Sequence, residues 1–190
     1  FKIIPDRIEA GTYLLMAMAT KGEILVKEVV PEHIASLLHK MKRMNCKVVM
    51  NEDSIFAKYH KVLKGTNIKT MPYPGFPTDM QSQYLTLMTV AKGTSIIVES
   101  IFENRYKYVN DLIRMGANIT LEGNTAIVQG VDALKSAIIE AKDLRGGAAL
   151  IEAALMAEGR SEISGIQYVE RGYENIVEKL TGIGANIQKI

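Results

Sequence analysis

The same order of helices and strands occurs three times along the chain, and this internal repeat limits the possible folds more than any single motif. In each copy an aspartate precedes an apolar helix, which is followed by a glycine, a β-branched strand, an amphipathic helix and a second strand. The apolar helices are predicted at residues 7–20, 80–91 and 144–157. Because a repeated unit of this kind cannot bury its apolar face alone, we expect the three copies to pack around one core.

Glycine and asparagine mark the expected ends of the amphipathic helices. The tetrapeptide Gly-Ala-Asn-Ile begins at Gly116 and again at Gly184, and Asn45 occupies the corresponding place in the first copy. Both residue types readily adopt the left-handed conformation that ends a helix. First strands are predicted at residues 23–29, 94–99 and 161–164, second strands at 46–50, 118–122 and 186–190, and a hairpin strand at 126–128. Positive φ angles are also predicted at the glycines that end the apolar helices, which are Gly22, Gly93 and Gly159.

The two helices of each copy have different apolar patterns. Residues 13–19 are apolar on most faces, which predicts a buried helix, whereas the helix predicted at 31–44 has one apolar stripe and should lie outside. We therefore expect an α/β (α+β) fold with pseudo-threefold symmetry, in which buried helices are surrounded by small sheets. The repeats cover about residues 1–65, 66–135 and 136–190 of a single domain, 1–190.

Composition and charge exclude several classes of protein. The chain has 23 Lys and Arg residues against 21 Asp and Glu, and 47% of its residues are hydrophobic, as in soluble globular domains. The basic residues near Lys40 have helical spacing and no aromatic ladder, which favours a solvated helix face over a nucleic-acid site. No apolar run approaches the roughly 18–20 residues that a membrane span needs. We expect neither a nucleic-acid partner nor a membrane partner.

The single cysteine, Cys46, cannot form an internal disulfide, which favours a reducing, cytoplasmic location. It begins a predicted strand, so we expect a buried structural thiol rather than a nucleophile. The three histidines have no usual metal-ligand spacing, and the chain has no P-loop or dinucleotide-binding fingerprint. We predict neither a metal site nor a cofactor.

Aspartates at helix starts and arginines at helix edges are the candidate functional residues. Each aspartate can be explained as a helix cap, because a carboxylate accepts hydrogen bonds from the free N–H groups of the first turn. Capping does not explain the arginines. Several converging guanidinium groups would form an oxyanion site, while ion pairs that only fix loops explain them equally well. The aspartates are Asp6, Asp79 and Asp143, and the arginines are Arg7, Arg105, Arg145 and Arg171.

Five longer motifs carry a resemblance to a known family. They are residues 5–12 (Pro-Asp-Arg-Ile-Glu-Ala-Gly-Thr), 72–81 (Pro-Tyr-Pro-Gly-Phe-Pro-Thr-Asp-Met-Gln), 101–105 (Ile-Phe-Glu-Asn-Arg), 143–145 (Asp-Leu-Arg) and 171–174 (Arg-Gly-Tyr-Glu). Together they resemble the UDP-N-acetylglucosamine 1-carboxyvinyltransferases, the enolpyruvyl transferases that open bacterial peptidoglycan synthesis. The resemblance extends over the whole chain.

In that family two similar domains each form an inside-out α/β barrel of three βαβαββ-type units, and this chain resembles only the second. The resemblance therefore implies a partner domain of the same enzyme, which carries the catalytic cysteine on a mobile loop. Cys46 does not match that cysteine. We expect the chain alone to be folded but inactive, with Phe1 near the crossing between the two domains.

The resemblance also implies roles for individual residues. Asp79 matches the aspartate that contacts the sugar hydroxyl and is the favoured general base, and Asp143 is a second candidate for proton transfer. Ile101 matches a residue whose backbone contacts the sugar nucleotide. Arg105 and Arg171 match arginines near phosphoenolpyruvate. The residues implied in substrate binding are Asp79, Ile101, Arg105, Arg145 and Arg171.

The implied reaction transfers the enolpyruvyl group of phosphoenolpyruvate to the 3-hydroxyl of UDP-N-acetylglucosamine with release of phosphate, and it requires no cofactor. A shikimate-pathway enolpyruvyl transferase is one alternative, since it shares the fold and phosphoenolpyruvate, although the Pro-Gly-Phe-Pro-Thr-Asp string argues against it. The other alternative is a non-catalytic unit that only folds or binds ligand weakly.

Overall fold

The chain forms seven α-helices and nine strands within residues 3–190, the part that the structure, a computed structural model, describes. Phe1 and Lys2, with which the first predicted repeat begins, lie outside these residues. The helices are α1 (Arg7–Ala19), α2 (Ala35–Arg43), α3 (Gln81–Met88), α4 (Val109–Arg114), α5 (Leu144–Met156), α6 (Gln167–Glu170) and α7 (Ile176–Gly182). The strands are β1 (Glu23–Lys27), β2 (Lys47–Met50), β3 (Ser54–Lys58), β4 (Ile68–Lys69), β5 (Thr94–Val98), β6 (Asn118–Glu122), β7 (Thr125–Gln129), β8 (Ile138–Glu140) and β9 (Glu162–Ser164).

Helices α1, α3 and α5 pack against one another and form the centre of the molecule. All 8 residues of α3 are buried, and Leu14 of α1 has no solvent exposure. The prediction that these helices lie inside is therefore confirmed. The amphipathic helix α2 buries Leu37 and Met41 and exposes Lys42 and Arg43, which confirms its predicted outer position.

Three sheets surround the central helices within the described residues. One is antiparallel with the order β1-β3-β2, the second has the order β4-β5-β7-β6, and the third pairs β8 with β9 in parallel. Burial alternates along the strands, so that Ile55 and Ala57 of β3 are buried while their neighbours retain contact with solvent. A sheet with one packed face and one solvated face explains this alternation. The predicted α/β arrangement of inner helices and outer sheets is confirmed.

Two of the central helices connect parallel strands. Helix α3 lies in the connection from β4 to β5, and α5 lies in the connection from β8 to β9. Parallel strands need such a crossover because the chain must return to the same end of the sheet. The segments that follow β4, β5 and β8 consequently leave from carboxyl ends of strands, where α/β folds place their ligand sites.

The strand predictions miss β3, β4 and β8, and the prediction of a strand at residues 186–190 is wrong. The corresponding strands of the other sheets, β2 and β6, each pair with the strand that follows them along the chain. Residues 186–190 have no such following strand to pair with among residues 3–190, and most of their side chains are exposed. An alternating sequence pattern does not form a strand without a partner edge.

The predicted left-handed helix ends are confirmed with one exception. Asn45 has a φ of 75°, and Gly116 and Gly184 have φ angles of 94° and 100°. The prediction is wrong at Gly22, because Lys21 takes the left-handed conformation one residue earlier, at a φ of 57°. The N–H of Lys21 donates to the Met18 carbonyl at 3.1 Å, and this hydrogen bond closes the last turn of α1.

Glu152 of α5 is a charged residue type in the packed interior. It has no solvent exposure, and neither carboxylate oxygen has a hydrogen-bond partner among the described residues. Desolvation by burial raises the pKa of this carboxyl well above its ordinary value of 4.5. The folded chain therefore retains the Glu152 proton at pH values where the unfolded chain has lost it, so the free energy of unfolding falls as the pH rises above the unfolded pKa.

We expect the Glu152→Leu substitution to raise the melting temperature by roughly 2–10 °C at pH 8 and by less at pH 5, because it removes an unpaired buried polar group whose cost grows with pH. Circular dichroism during thermal unfolding at both pH values measures the effect. The substitution Glu140→Gln, at an exposed carboxylate, is the control and should change the melting temperature little. A lower melting temperature of Glu152→Leu at pH 8 would contradict this account.

Candidate active site

Asp79 lies just before α3, and each of its two carboxylate oxygens is held by an arginine. It occupies the short turn Thr78–Met80, which follows the proline-rich segment 72–77, where proline rings restrict the backbone. Oδ1 accepts a hydrogen bond from Arg105 Nη2 and Oδ2 accepts one from Arg145 Nη2, both at 3.2 Å. The Asp79 side chain is 41% exposed, so the carboxylate can still meet a ligand.

Arg105 reaches Asp79 from the turn Arg105–Tyr108 and is 6% exposed. Its Nη2 also donates to the Thr78 hydroxyl at 3.2 Å, and its guanidinium carbon lies 4.1 Å from the centre of the Phe102 ring. Stacking on an aromatic face suits a planar guanidinium, and it fixes the direction of the group. The Nε atom of Arg105 is buried without a hydrogen-bond partner among the described residues.

Arg145 reaches Asp79 from the first turn of α5. Its Nη1 donates to the Tyr173 hydroxyl at 3.4 Å, and the Tyr173 oxygen also lies 2.9 Å from the Thr12 hydroxyl and 3.0 Å from Gln83 Nε2. Burial opposes the charge of Arg145, but the attraction of Tyr173 and Asp79 outweighs it, and the pKa of the guanidinium lies above its ordinary value. The charged group is therefore anchored to a buried network that joins α1, α3 and Tyr173.

Two of the three candidate aspartates are helix caps, and the third is not. Asp6 caps α1, since its Oδ1 accepts from the N–H groups of Ile8 and Glu9 at 2.7 and 3.1 Å. Asp143 caps α5, since its Oδ1 accepts from the Gly146 N–H at 2.8 Å. Asp79 makes no side-chain cap hydrogen bond, so the capping explanation is wrong for this residue alone.

The remaining predicted residues differ in whether they share the cleft with Asp79. Ile101 is 47% exposed and lines a cleft of about 210 Å³ together with Asp79, Arg7 and Tyr73. The Arg7 guanidinium carbon lies 5.3 Å from the centre of the Tyr73 ring. Arg171 is exposed, and within residues 3–190 no hydrogen bond or ion pair joins it to Asp79. The structure thus brings Arg105, Arg145 and Ile101 to Asp79, whereas Arg171 makes no direct contact with it among the described residues.

Sequence reasoning missed Glu99, which is buried and accepts a hydrogen bond from the hydroxyl of Thr78 at 2.9 Å. In the sequence it appears as the last residue of a predicted β-branched strand. An acidic residue directly after a strand, at the start of an exposed loop, is the signal that could have identified it. Tyr173 and Thr78 were also missed as partners of the arginines, although both lie within the family motifs.

Cys46 is buried, and this burial raises the pKa of its thiol to about 12, which confirms the predicted structural thiol. In the described part of the chain, no group of three or more His, Cys, Asp or Glu side chains is placed to hold a metal ion. No helix within residues 3–190 is both long enough and apolar enough to span a membrane.

The centre combines a partly exposed carboxylate with two guanidinium groups that contact it. A carboxylate can accept the proton of a hydroxyl group, and guanidinium groups can bind the oxygens of a carboxylate or a phosphate. Because the Asp79 carboxylate takes up one donor of each arginine and offsets part of their positive charge, it weakens the attraction of both for an oxyanion ligand. The geometry is therefore suited to bringing a hydroxyl group and an oxyanion together.

Comparisons with known proteins agree on one family. Residues 1–180 match the family model of EPSP synthase (3-phosphoshikimate 1-carboxyvinyltransferase). A UDP-N-acetylglucosamine 1-carboxyvinyltransferase of Clostridium botulinum is 49% identical over 100% of this chain and 46% of its own length. One of Desulfofundulus thermocisternus is 49% identical over 98% of this chain and 77% of its own length. The chain spans about half the length of several of the curated relatives that it matches.

Solved structures of enolpyruvyl transferases also resemble this chain. The enolpyruvyl transferase NikO of Streptomyces tendae superposes with a TM-score of 0.90 at 25% identity, over 99% of this chain and 45% of that one. An EPSP synthase of Acinetobacter baumannii superposes with a TM-score of 0.80 at 17% identity, over 99% of this chain and 47% of that one, which shows a shared fold. The chain therefore belongs to the EPSP synthase family of enolpyruvyl transferases and, within it, to the UDP-N-acetylglucosamine 1-carboxyvinyltransferases.

Proposed function

We propose that this chain forms one wall of the active-site cleft of an enzyme that transfers the enolpyruvyl group of phosphoenolpyruvate to the 3-hydroxyl of UDP-N-acetylglucosamine and releases phosphate. The observation that carries the proposal is the partly exposed carboxylate of Asp79 between Arg105 and Arg145. The names of relatives that are 49% identical over the whole chain support the choice of the acceptor.

In the proposed reaction Asp79 is the general base. It accepts the proton of the sugar 3-hydroxyl while the hydroxyl oxygen bonds to C2 of phosphoenolpyruvate, and C3 takes up a proton from a general acid in the rest of the enzyme. The bond from C2 to the phosphate oxygen then breaks, the proton held by Asp79 leaves with the phosphate, and C3 returns its proton to the same acid as the double bond forms again. Arg105 and Arg145 are suited to bind carboxylate or phosphate oxygens as the charge moves, because preorganised donors stabilise developing charge best.

Asp143 and Arg171 keep secondary places in the proposal. Asp143 is a second candidate for proton transfer, although its Oδ1 already accepts the Gly146 N–H as a cap. Arg171 is exposed, so we propose that it joins the site only when substrate or the rest of the enzyme approaches. A solvent-exposed arginine can turn toward an anion at low cost in packing.

The rest of the enzyme is a further part of the proposal. A first domain with the catalytic cysteine would close over Asp79 and exclude water, since closure is the usual way to complete such a site. We also propose that the reaction is the first committed step of peptidoglycan synthesis, which the names of the relatives support, and that it takes place in the cytoplasm, where a free cysteine such as Cys46 stays reduced. The shikimate-pathway alternative is not favoured, because the superposed EPSP synthase is only 17% identical to this chain.

The isolated chain should release no measurable phosphate from phosphoenolpyruvate in the presence of UDP-N-acetylglucosamine. The reason is that the partner wall and the catalytic cysteine of the proposed enzyme are supplied from outside these residues. A colorimetric phosphate assay measures the outcome, with the full-length parent enzyme as the positive control. Turnover by the isolated chain would show that one wall is sufficient.

In the full-length parent enzyme we expect Asp79→Asn to lower kcat by roughly 100- to 10,000-fold, the range of a general base, with little change in melting temperature. Steady-state phosphate release and thermal unfolding measure the two effects. Asp132→Asn, at an exposed aspartate, is the matched control and should retain wild-type turnover. Near-normal turnover of Asp79→Asn would remove this residue as the base.

Although Asp79→Asn should lower turnover, it should strengthen anion binding. Because the Asp79 carboxylate competes for Arg105 and Arg145, its neutral replacement should let inorganic phosphate bind roughly three- to tenfold more tightly, which corresponds to about 1 kcal/mol. Isothermal titration calorimetry with phosphate measures this difference. If Asp79→Asn bound phosphate no more tightly than the wild type, competition between the carboxylate and the ligand would be disproved.

A further inference from the structure

Glu99 is a buried carboxylate that follows β5 and meets four hydrogen-bond donors. It is 3% exposed. Its Oε1 accepts from the Thr70 hydroxyl at 2.7 Å and from the N–H groups of Ile101 and Phe102 at 2.8 and 2.9 Å. Its Oε2 accepts from the Thr78 hydroxyl at 2.9 Å. Four donors match the acceptor capacity of a carboxylate, and without them its burial would be costly.

One of these bonds leads directly to the arginine that contacts Asp79. Thr78 adjoins Asp79 in the chain, and its hydroxyl oxygen accepts a hydrogen bond from Arg105 Nη2 at 3.2 Å. A hydroxyl group has a single hydrogen, so when that hydrogen is donated to Glu99 the lone pairs are left for the guanidinium. Glu99 therefore sets the orientation of the Thr78 hydroxyl that Arg105 binds.

Two other bonds of Glu99 hold the exposed loop that contains Ile101 and Phe102. The side chains of Ile101 and Phe102 are 47% and 54% exposed, and a cavity of about 640 Å³ separates this loop from the turn at Gly123 and Asn124. Packing consequently contributes little to the position of the loop. The two backbone hydrogen bonds to Glu99 fix it, and with it the Phe102 ring that stacks on Arg105.

We infer that Glu99 is a positioning residue for the transfer reaction, an inference that rests on the proposed function. It orients Arg105 through Thr78 and holds the Ile101 loop at the cleft, without contacting the substrate itself.

The test is a double-mutant cycle in the full-length parent enzyme. Glu99→Gln keeps the size of the side chain but replaces an acceptor oxygen by an amide nitrogen, and Thr78→Val removes the hydroxyl with little change in volume. Each should lower kcat/KM for UDP-N-acetylglucosamine about tenfold or more, the effect of losing one charge-assisted hydrogen bond. Because Glu99 acts on Arg105 through the Thr78 hydroxyl, the two effects overlap, and the double variant should lose less than the two single losses combined.

The control is Glu122→Gln on β6, at an exposed carboxylate outside the site, and it should retain wild-type kcat/KM. Melting temperatures show whether a variant is folded, so a loss of activity that only follows a loss of folded enzyme overturns the inference. Wild-type activity of Glu99→Gln, or additive losses in the cycle, also overturn it and leave the proposed function intact. A wild-type enzyme that is inactive with this substrate pair overturns both.

Discussion

Complete burial of α3 is the constraint on which the rest of the structure depends. The polar side chains of a helix that is buried on all sides can find hydrogen-bond partners only inside the protein. Gln83 Nε2 donates to the Thr12 hydroxyl and to the Tyr173 oxygen, both at 3.0 Å, and Gln81 Oε1 accepts from the Tyr108 hydroxyl at 3.2 Å. These directional contacts specify how α3 sits against its neighbours, which apolar packing alone leaves less well defined.

The same buried network supports the charges at the surface. The Tyr173 oxygen accepts from Arg145, and Arg145 contacts Asp79, so the candidate site is continuous with the interior. Arg105 is held on its other side by Phe102 and Thr78. Side chains that are ordered before a ligand arrives lose less conformational entropy on binding, which favours affinity for an anion.

Local sequence patterns predict much of this fold and only part of the site. The buried helices follow from continuous apolar stretches, and the turn at Gly116 follows from a residue preference that acts within a few positions. The contact between Asp79 and Arg145 joins residues 66 positions apart, and no local pattern specifies such a pair. Glu99 has partners from three separate segments, so its role becomes visible only in the folded chain. The strand predicted at 186–190 fails for a related reason, since a strand needs a partner that its own sequence does not specify.

The contact between Asp79 and Arg145 also has a consequence for how such a chain can vary. Asp79 and Arg105 belong to the second predicted repeat, whereas Arg145 and Tyr173 belong to the third. The charged centre therefore spans the boundary between two units that otherwise follow the same structural plan. A chimera that exchanges the third repeat alone must keep the Arg145 guanidinium within hydrogen-bonding distance of the Asp79 carboxylate. Exchanging the first repeat would leave this charge contact in place, although Thr12 of that repeat would still have to reach the Tyr173 hydroxyl.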